Sequence, residues 1–344
     1  MDQEIRKSIL HISNFVRPGY QLFLMVCTFS LLLFLSYYRM LQFKVVDPMP
    51  TFNKVEVIGA IQRASIDVGF YVRNFLKFDV IENEFLVDSY LWFEYDSDKF
   101  TEQEVDGFSF GKASIVFKSK PYRTAAHGRT FVGYDVQVKF PSNIDYHYFP
   151  INSHRIYLTL NNLSISADKA LFNISPATFI ISDTLFTAGW KNFSNEVHSG
   201  FKSLSLSKKD VQKKIAFPRI VFAMDFIGTS IRTLFLIFLP LLVIFFISIF
   251  TLGLDPKKYY STILSVAAAT ITALVSYRFV IENLSPSVSY FMLSDHMFNL
   301  ILTLNFMVFL IGSVFLQRLE KYRGFIIVLF HVILIIAWTV ILYL

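Results

Sequence analysis

Between positions 261 and 279, Ser261, Ser265, Ala268, Ala269, Thr272, Ser276 and Phe279 fall within about 60° of Ser265 if the chain is helical and turns about 100° per residue. None of these side chains titrates near neutral pH, so the set offers no acid, base or activated nucleophile. A row of hydroxyls and methyls does two other things. It replaces part of the hydration shell of a passing ion, or it lets helix backbones approach closely. Both readings fit the spacing. The opposite sector carries Ile263, Ala267, Thr270, Leu274 and Ile281, and the stripe runs on at its N-terminal end to Lys258. Past its other end stand Glu282, Asp295 and His296, which either sense protons or form an ordinary polar rim. A third set is aromatic. Tyr90, Trp92 and Tyr95, with Trp190 farther on, present ring faces that hold cations or fill a core.

Chemistry of other kinds is missing from the sequence. The seven histidines, at 11, 127, 147, 154, 198, 296 and 331, have no metal-ligand spacing. No glycine-rich phosphate loop or nucleophile elbow occurs. The expectation is a protein without enzymatic activity, cofactor or metal.

The elements that must position these residues follow from composition. The chain is 54% hydrophobic and 17% charged, with a mean hydropathy of +0.49. Five apolar runs have the roughly 20 residues a helical crossing needs: 20–38, 231–252, 260–281, 296–316 and 325–344. The net charge of +6 does not mark a nucleic-acid binder, because the cations cluster beside these runs, as Arg6, Lys7 and Arg17, Lys257 and Lys258, and Arg318, Lys321 and Arg323. The positive-inside rule places residues 1–19 as a cytoplasmic tail, 20–38 as a retained signal anchor and 39–54 as a linker. The C-terminus is then outside, in the cell (inner or plasma) membrane. A cleaved signal peptide is the alternative for the first run, but its apolar core is long and no small-residue cleavage site follows. Cys27, the only cysteine, lies within that run, so no intrachain disulfide forms.

Residues 55–230 read differently. "VEVIGAI", "SIDVGFYVRNFL", "EFLVDSYLWFEY", "ASIVFKS", "YDVQVKF", "RIYLTLNNLSIS" and "RIVFAMDF" are short β-type runs separated by Gly, Pro, Asn and Asp. Many strands without helical periodicity predict a β-sandwich on the outer or periplasmic side. The fold class is therefore β + α membrane protein: an immunoglobulin-like β-sandwich followed, at 231–344, by a four-helix transmembrane domain, with an extra N-terminal helix.

From about residue 55 onward the chain resembles the pentameric ligand-gated ion channels in their prokaryotic form. "IDVGFYVRNFLKFDVIENEFLVDSYLWFEY" is similar to the family's first two strands, and "YFPINSHRIYLTL" to a loop in which Phe149 and Pro150 match while Asn152 and His154 replace an acid and a glutamine. "LFTAGW", ending at Trp190, "FLPLL" with Pro240, and "ENLSP" at 282–286 agree in order and spacing. Eukaryotic members close the Phe-Pro loop with two cysteines; here Ser142 and Ile156 stand there. The resemblance implies a homopentamer in lipid whose pore is lined by Lys258, Ser261, Ser265, Ala268, Ala269, Thr272, Ser276 and Phe279. It implies that Phe149, Pro150 and Asn152 press on the link carrying Pro286 and Tyr290. A small-molecule or proton ligand would act between subunits, at aromatics such as Tyr90, Trp92, Tyr95 and Trp190 under a hairpin around 197–208. Thr272 replaces the usual bulky gate ring, with Phe279 as the substitute, and Lys258 at the inner mouth favours anions. The first helix is not part of the family pattern. An alternative is a non-conducting pentameric receptor or assembly subunit that reaches a membrane partner through that helix.

Overall fold

The computed structural model describes residues 16–42, 47–53, 63–151, 153–208, 210, 213–228, 231–315 and 319–343. The expected strand "VEVIGAI" and the candidate Asn152 lie outside them. The chain divides into two compact units, one made of 1–43, 146–152 and 230–344, the other of 44–145 and 153–229. The sequence boundaries miss one feature of that division. The short segment 146–152 belongs with the helices.

The first unit holds five helices long and apolar enough to span a membrane: α1 (Pro18–Gln42), α2 (Arg232–Phe250), α3 (Pro256–Leu284), α4 (Leu293–Leu310) and α5 (Arg323–Tyr343). α3 starts four residues before the apolar run, because the Asp255 carboxylate accepts the Lys257 N–H at 2.9 Å and Pro256 fits the first turn. α1 buries Gln21, Thr28, Leu32, Ser36 and Met40, a seam at intervals of mostly four residues. That seam meets α5. Thr28 Oγ1 lies 2.9 Å from His331 Nδ1, Trp338 Nε1 donates to Ser36 Oγ at 3.0 Å, and Arg39 Nε donates to the Leu342 carbonyl at 3.0 Å. Cys27 lies off the seam and is exposed.

The second unit is built on β1 (Ala64–Asp79), β2 (Glu84–Asp96), β3 (Phe108–Gly111), β4 (Ser114–Lys118), β5 (Tyr122–Ala126), β6 (Arg129–Phe140), β7 (Ser153–Asn162), β8 (Ala170–Asn173), β9 (Phe179–Ile181), β10 (Trp190–Ser205) and β11 (Lys214–Gly228). One sheet runs β4-β6-β2-β1-β8, with β5 on β6 and β9 on β1; the other runs β10-β11-β7-β3. Period-two patterning explains the core. In β2 every second residue from Phe85 to Tyr95 is buried, and in β11 the run from Phe217 to Phe226 is buried throughout. Rings from the two sheets meet, as Phe70 with Phe222 at 4.6 Å and Phe78 with Phe226 at 4.7 Å between centroids. Each such ring removed from water contributes about 1.5–3 kcal/mol. The expectation of no helix in this region needs one correction. Glu102–Asp106 is a single helical turn and more, started by a capping box between Thr101 and Glu104.

Polar contacts hold the chain around Ser142 and Ile156. Ser142 Oγ accepts the Tyr157 N–H at 3.1 Å, and the Asp47 carboxylate accepts the Asp145 and Arg155 N–H groups at 2.7 and 2.6 Å. Arg155 in turn donates to Asp225 at 2.7 Å and Glu196 at 3.1 Å. These two carboxylates, Asp225 first, push the Arg155 pKa above its ordinary value against the opposing effect of burial.

Candidate functional site

α3 carries the small-residue stripe, and its packing follows the angular pattern of the sequence. Ile263, Ala267, Thr270, Leu274 and Ile281 are buried. Lys258, Ser261, Ser265, Ala268, Ala269, Thr272, Ser276 and Phe279 are all exposed, Phe279 by 66%. Thr272 Oγ1 donates back to the Ala268 carbonyl at 3.2 Å, which leaves its lone pairs on the exposed side. The helix kinks at Tyr259, whose backbone is non-helical, and Lys258 lies before this kink with its amine 5.2 Å from the Tyr259 ring. Its neighbour Lys257 turns instead to Glu320 at 3.3 Å.

The other end of α3 is a charged cluster that sequence reasoning did not assemble. Arg278 donates to Glu282 at 2.9 Å and to Asp295. Asp295, only 3% exposed, also accepts the Met292 N–H at 2.8 Å and so caps α4. The proposed trio of Glu282, Asp295 and His296 is thus not one group. Two carboxylates converge on Arg278, while His296 is exposed with its ring 5.9 Å from that of Phe291. Beside the pair a concavity of about 460 Å³ is lined by Arg278, Glu282, Pro286, Tyr290 and Asp295 among others.

The segment 146–151 grips the start of α4. The Leu293 N–H donates to the His147 carbonyl at 2.7 Å and the Ser294 N–H to the Phe149 carbonyl at 3.0 Å. The Tyr290 hydroxyl accepts the Tyr146 N–H at 3.0 Å. Phe149 is buried, 5% exposed, and joins Pro150 through a cis peptide bond. The ring stacked on Tyr290 is His147, with centroids 4.0 Å apart and planes within 11°. The expectation gave that place to Phe149. No periodicity flags His147 in a loop, so only the fold identifies it.

The aromatic candidates do not converge. Tyr95 is buried on the core face of β2, whereas Tyr90 and Trp92 lie on the opposite face, as alternation requires. Gly133 and Gly69 make room for those two rings, since a Cβ at either position would meet Tyr90 or Trp92 at about 2 Å. Burial raises the pKa of both Tyr90 and Tyr95 hydroxyls. Trp190 sits elsewhere, 5.6 Å from Phe78 and 5.8 Å from His154. Among the described residues no group of three or more His, Cys, Asp or Glu side chains is placed to hold a metal ion. The chain matches no protein-family model, and no curated protein is found to be similar to it.

Proposed function

We propose that the chain is one subunit of a pentameric ligand-gated ion channel whose pore is lined by α3. The observation that carries the reading is the uncovered stripe. α3 is 29 residues long and packs one face into its own helix unit, and the other face shows Ser261, Ser265, Thr272 and Ser276. Hydroxyls against hydrocarbon are costly. Five copies around an axis would turn them toward water. The helical repeat and the resemblance together support a ring of identical subunits, in which Lys258 at the inner mouth draws anions and Phe279 forms the bulky constriction. The two-sheet unit would be an immunoglobulin-like ligand-binding sandwich on the outer or periplasmic side. The segment 146–151 would pass its movement to α4 through His147 and Tyr290.

The first helix fits this reading as a fifth membrane helix of the subunit. Its polar seam is used on α5 of the same chain, and Leu22, Phe23, Val26, Phe34 and Leu41, all more than half exposed, are left for lipid. Mass measurement in mild detergent followed by planar-bilayer recording tests the proposal. A homopentamer that conducts, with chloride preferred over potassium, is expected. A clean monomer or dimer overturns the assembly, and a silent pentamer overturns conduction in favour of a receptor subunit that signals to a membrane partner.

A further inference from the structure

The face of the β10-β11-β7-β3 sheet turned away from the core carries a second concavity, of about 430 Å³. Residues 47–53 run along this face: Asn53 pairs with Phe201 on β10, and Phe52 packs on Tyr157, Val221 and Ala223. At the bottom lies Arg219, 6% exposed. Its Nε donates to Asn161 Oδ1 at 2.7 Å and one terminal nitrogen to the Thr51 carbonyl at 3.0 Å. Both acceptors are neutral, and among the described residues no carboxylate pairs with this guanidinium. Arg155 on the same sheet, by contrast, has two. Burial alone lowers the Arg219 pKa.

Two more cations line the same cavity, and among the described residues no Asp or Glu does. Lys202 stands on β10 and Lys112 follows β3, its Nζ 3.4 Å from Asn143 Oδ1. Desolvation and the positive charges of Arg219 and Lys112 depress the Lys202 pKa. Two lysines gathered over a buried guanidinium that no carboxylate compensates are mutually destabilising, and a bound anion relieves all three charges at once. The rest of the lining is partly apolar, with Leu163, Leu204 and Phe217. The volume falls in the range of small-molecule sites, about 300–1,000 Å³.

We infer that this pocket binds a small organic anion, its acid group on the Arg219 guanidinium beside Lys112 and Lys202 and its apolar body against Leu204 and Phe217. The inference rests on the receptor reading only for what the ligand does afterwards. Occupancy is measured on the protein itself and needs no current, so a silent channel and an empty pocket are separate outcomes.

Benzoate is the probe, titrated by calorimetry into the full chain in detergent at constant ionic strength, with benzamide and inorganic phosphate as comparators. Saturable benzoate binding is expected, with none by benzamide. Lys112→Gln and Lys202→Gln should each weaken it roughly two- to fivefold, as fits partly exposed charges. These two side chains are peripheral to the fold, so the variants remain informative where Arg219→Gln fails to fold. The inference is overturned by no saturable binding up to about 10 mM, by benzamide binding equally well, by phosphate binding in preference to benzoate, or by unchanged affinity in the double lysine variant.

Discussion

On the channel proposal, replacing Tyr290 isolates what the grip of 146–151 on α4 would contribute to gating. Tyr290→Phe keeps the ring against His147 and removes only the oxygen that accepts the Tyr146 N–H at 3.0 Å. A partly buried amide left without its acceptor costs about 1–3 kcal/mol. Tyr290→Ala also forfeits the stack, worth about another 0.5–1.5 kcal/mol, for roughly 1.5–4.5 kcal/mol in all. A substitution biases an open–closed equilibrium only by the amount its contact differs between the two states. These figures are therefore ceilings, about 5- to 150-fold for the Phe variant and roughly 10- to 2,000-fold for the Ala variant. The assay is the spontaneous open fraction in planar bilayers, after mass measurement has established the assembly. Both variants should remain pentameric, with Ala displaced further than Phe in the same direction. Wild-type gating in both, with assembly intact, refutes the coupling; so does a Phe variant displaced further than the Ala variant.

Thr272→Leu places an apolar ring in the middle of the exposed stripe and should lower unliganded conductance in bilayers without changing benzoate affinity. In the sheet unit, Arg155→Met strands the 3% exposed Asp225, whereas Asp225→Leu leaves Arg155 with Glu196 alone. The first should cost roughly 2–4 kcal/mol, a little below a wholly buried pair because the Arg155 side chain is 26% exposed, and the second less because Arg155 keeps one carboxylate. The double variant should cost far less than the sum, and additive losses in thermal midpoint would contradict the pairing. Glu104 is held below the usual glutamate range, first by its hydrogen bond to Lys169 and then by the Thr101 N–H. A depressed folded-state pKa gives stability above the ordinary value of about 4.3 that is lost as pH falls through the folded value. Glu104→Gln should therefore flatten the decline of thermal midpoint below about pH 4.3, and an unchanged decline would show that Glu104 does not contribute to it.

Local pattern made some elements readable. In β2, strict alternation marks Phe85, Val87, Leu91 and Phe93 as core, and the same rule separates Tyr95 from Tyr90 and Trp92. In α3, the angular sorting of Ile263 and Leu274 from Ser265 and Thr272 is legible because a helix's neighbours are set by its period. β10 was not legible. "WKNFSNEVHSGFKSLS" lies at a sheet edge with one fully buried residue, so nothing forces its side chains to alternate. The site residues that were missed act across distance. Arg155 finds Asp225 70 positions away, Arg219 finds Asn161 58 positions away and Thr51 168 positions away, and Arg278 reaches Asp295 in another helix. No spacing rule encodes such pairs, because each depends on which strands or helices become neighbours.

The seam between α1 and α5 also has a temporal meaning. Thr28 and its partner His331 are separated by 303 positions, so α1 is synthesised well before the α5 surface on which it docks and must wait for it. At elongation rates of about 5–20 residues per second, that wait is roughly 15–60 s. Throughout it Thr28 and Ser36 lack the α5 side chains that finally meet them. Docking of α5 thus distinguishes a chain that has reached His331 and Trp338 from one that has not. A ribosome that stalls before Gly324 leaves a polar helix face exposed to the lipid-phase chaperones and proteases that survey nascent membrane proteins.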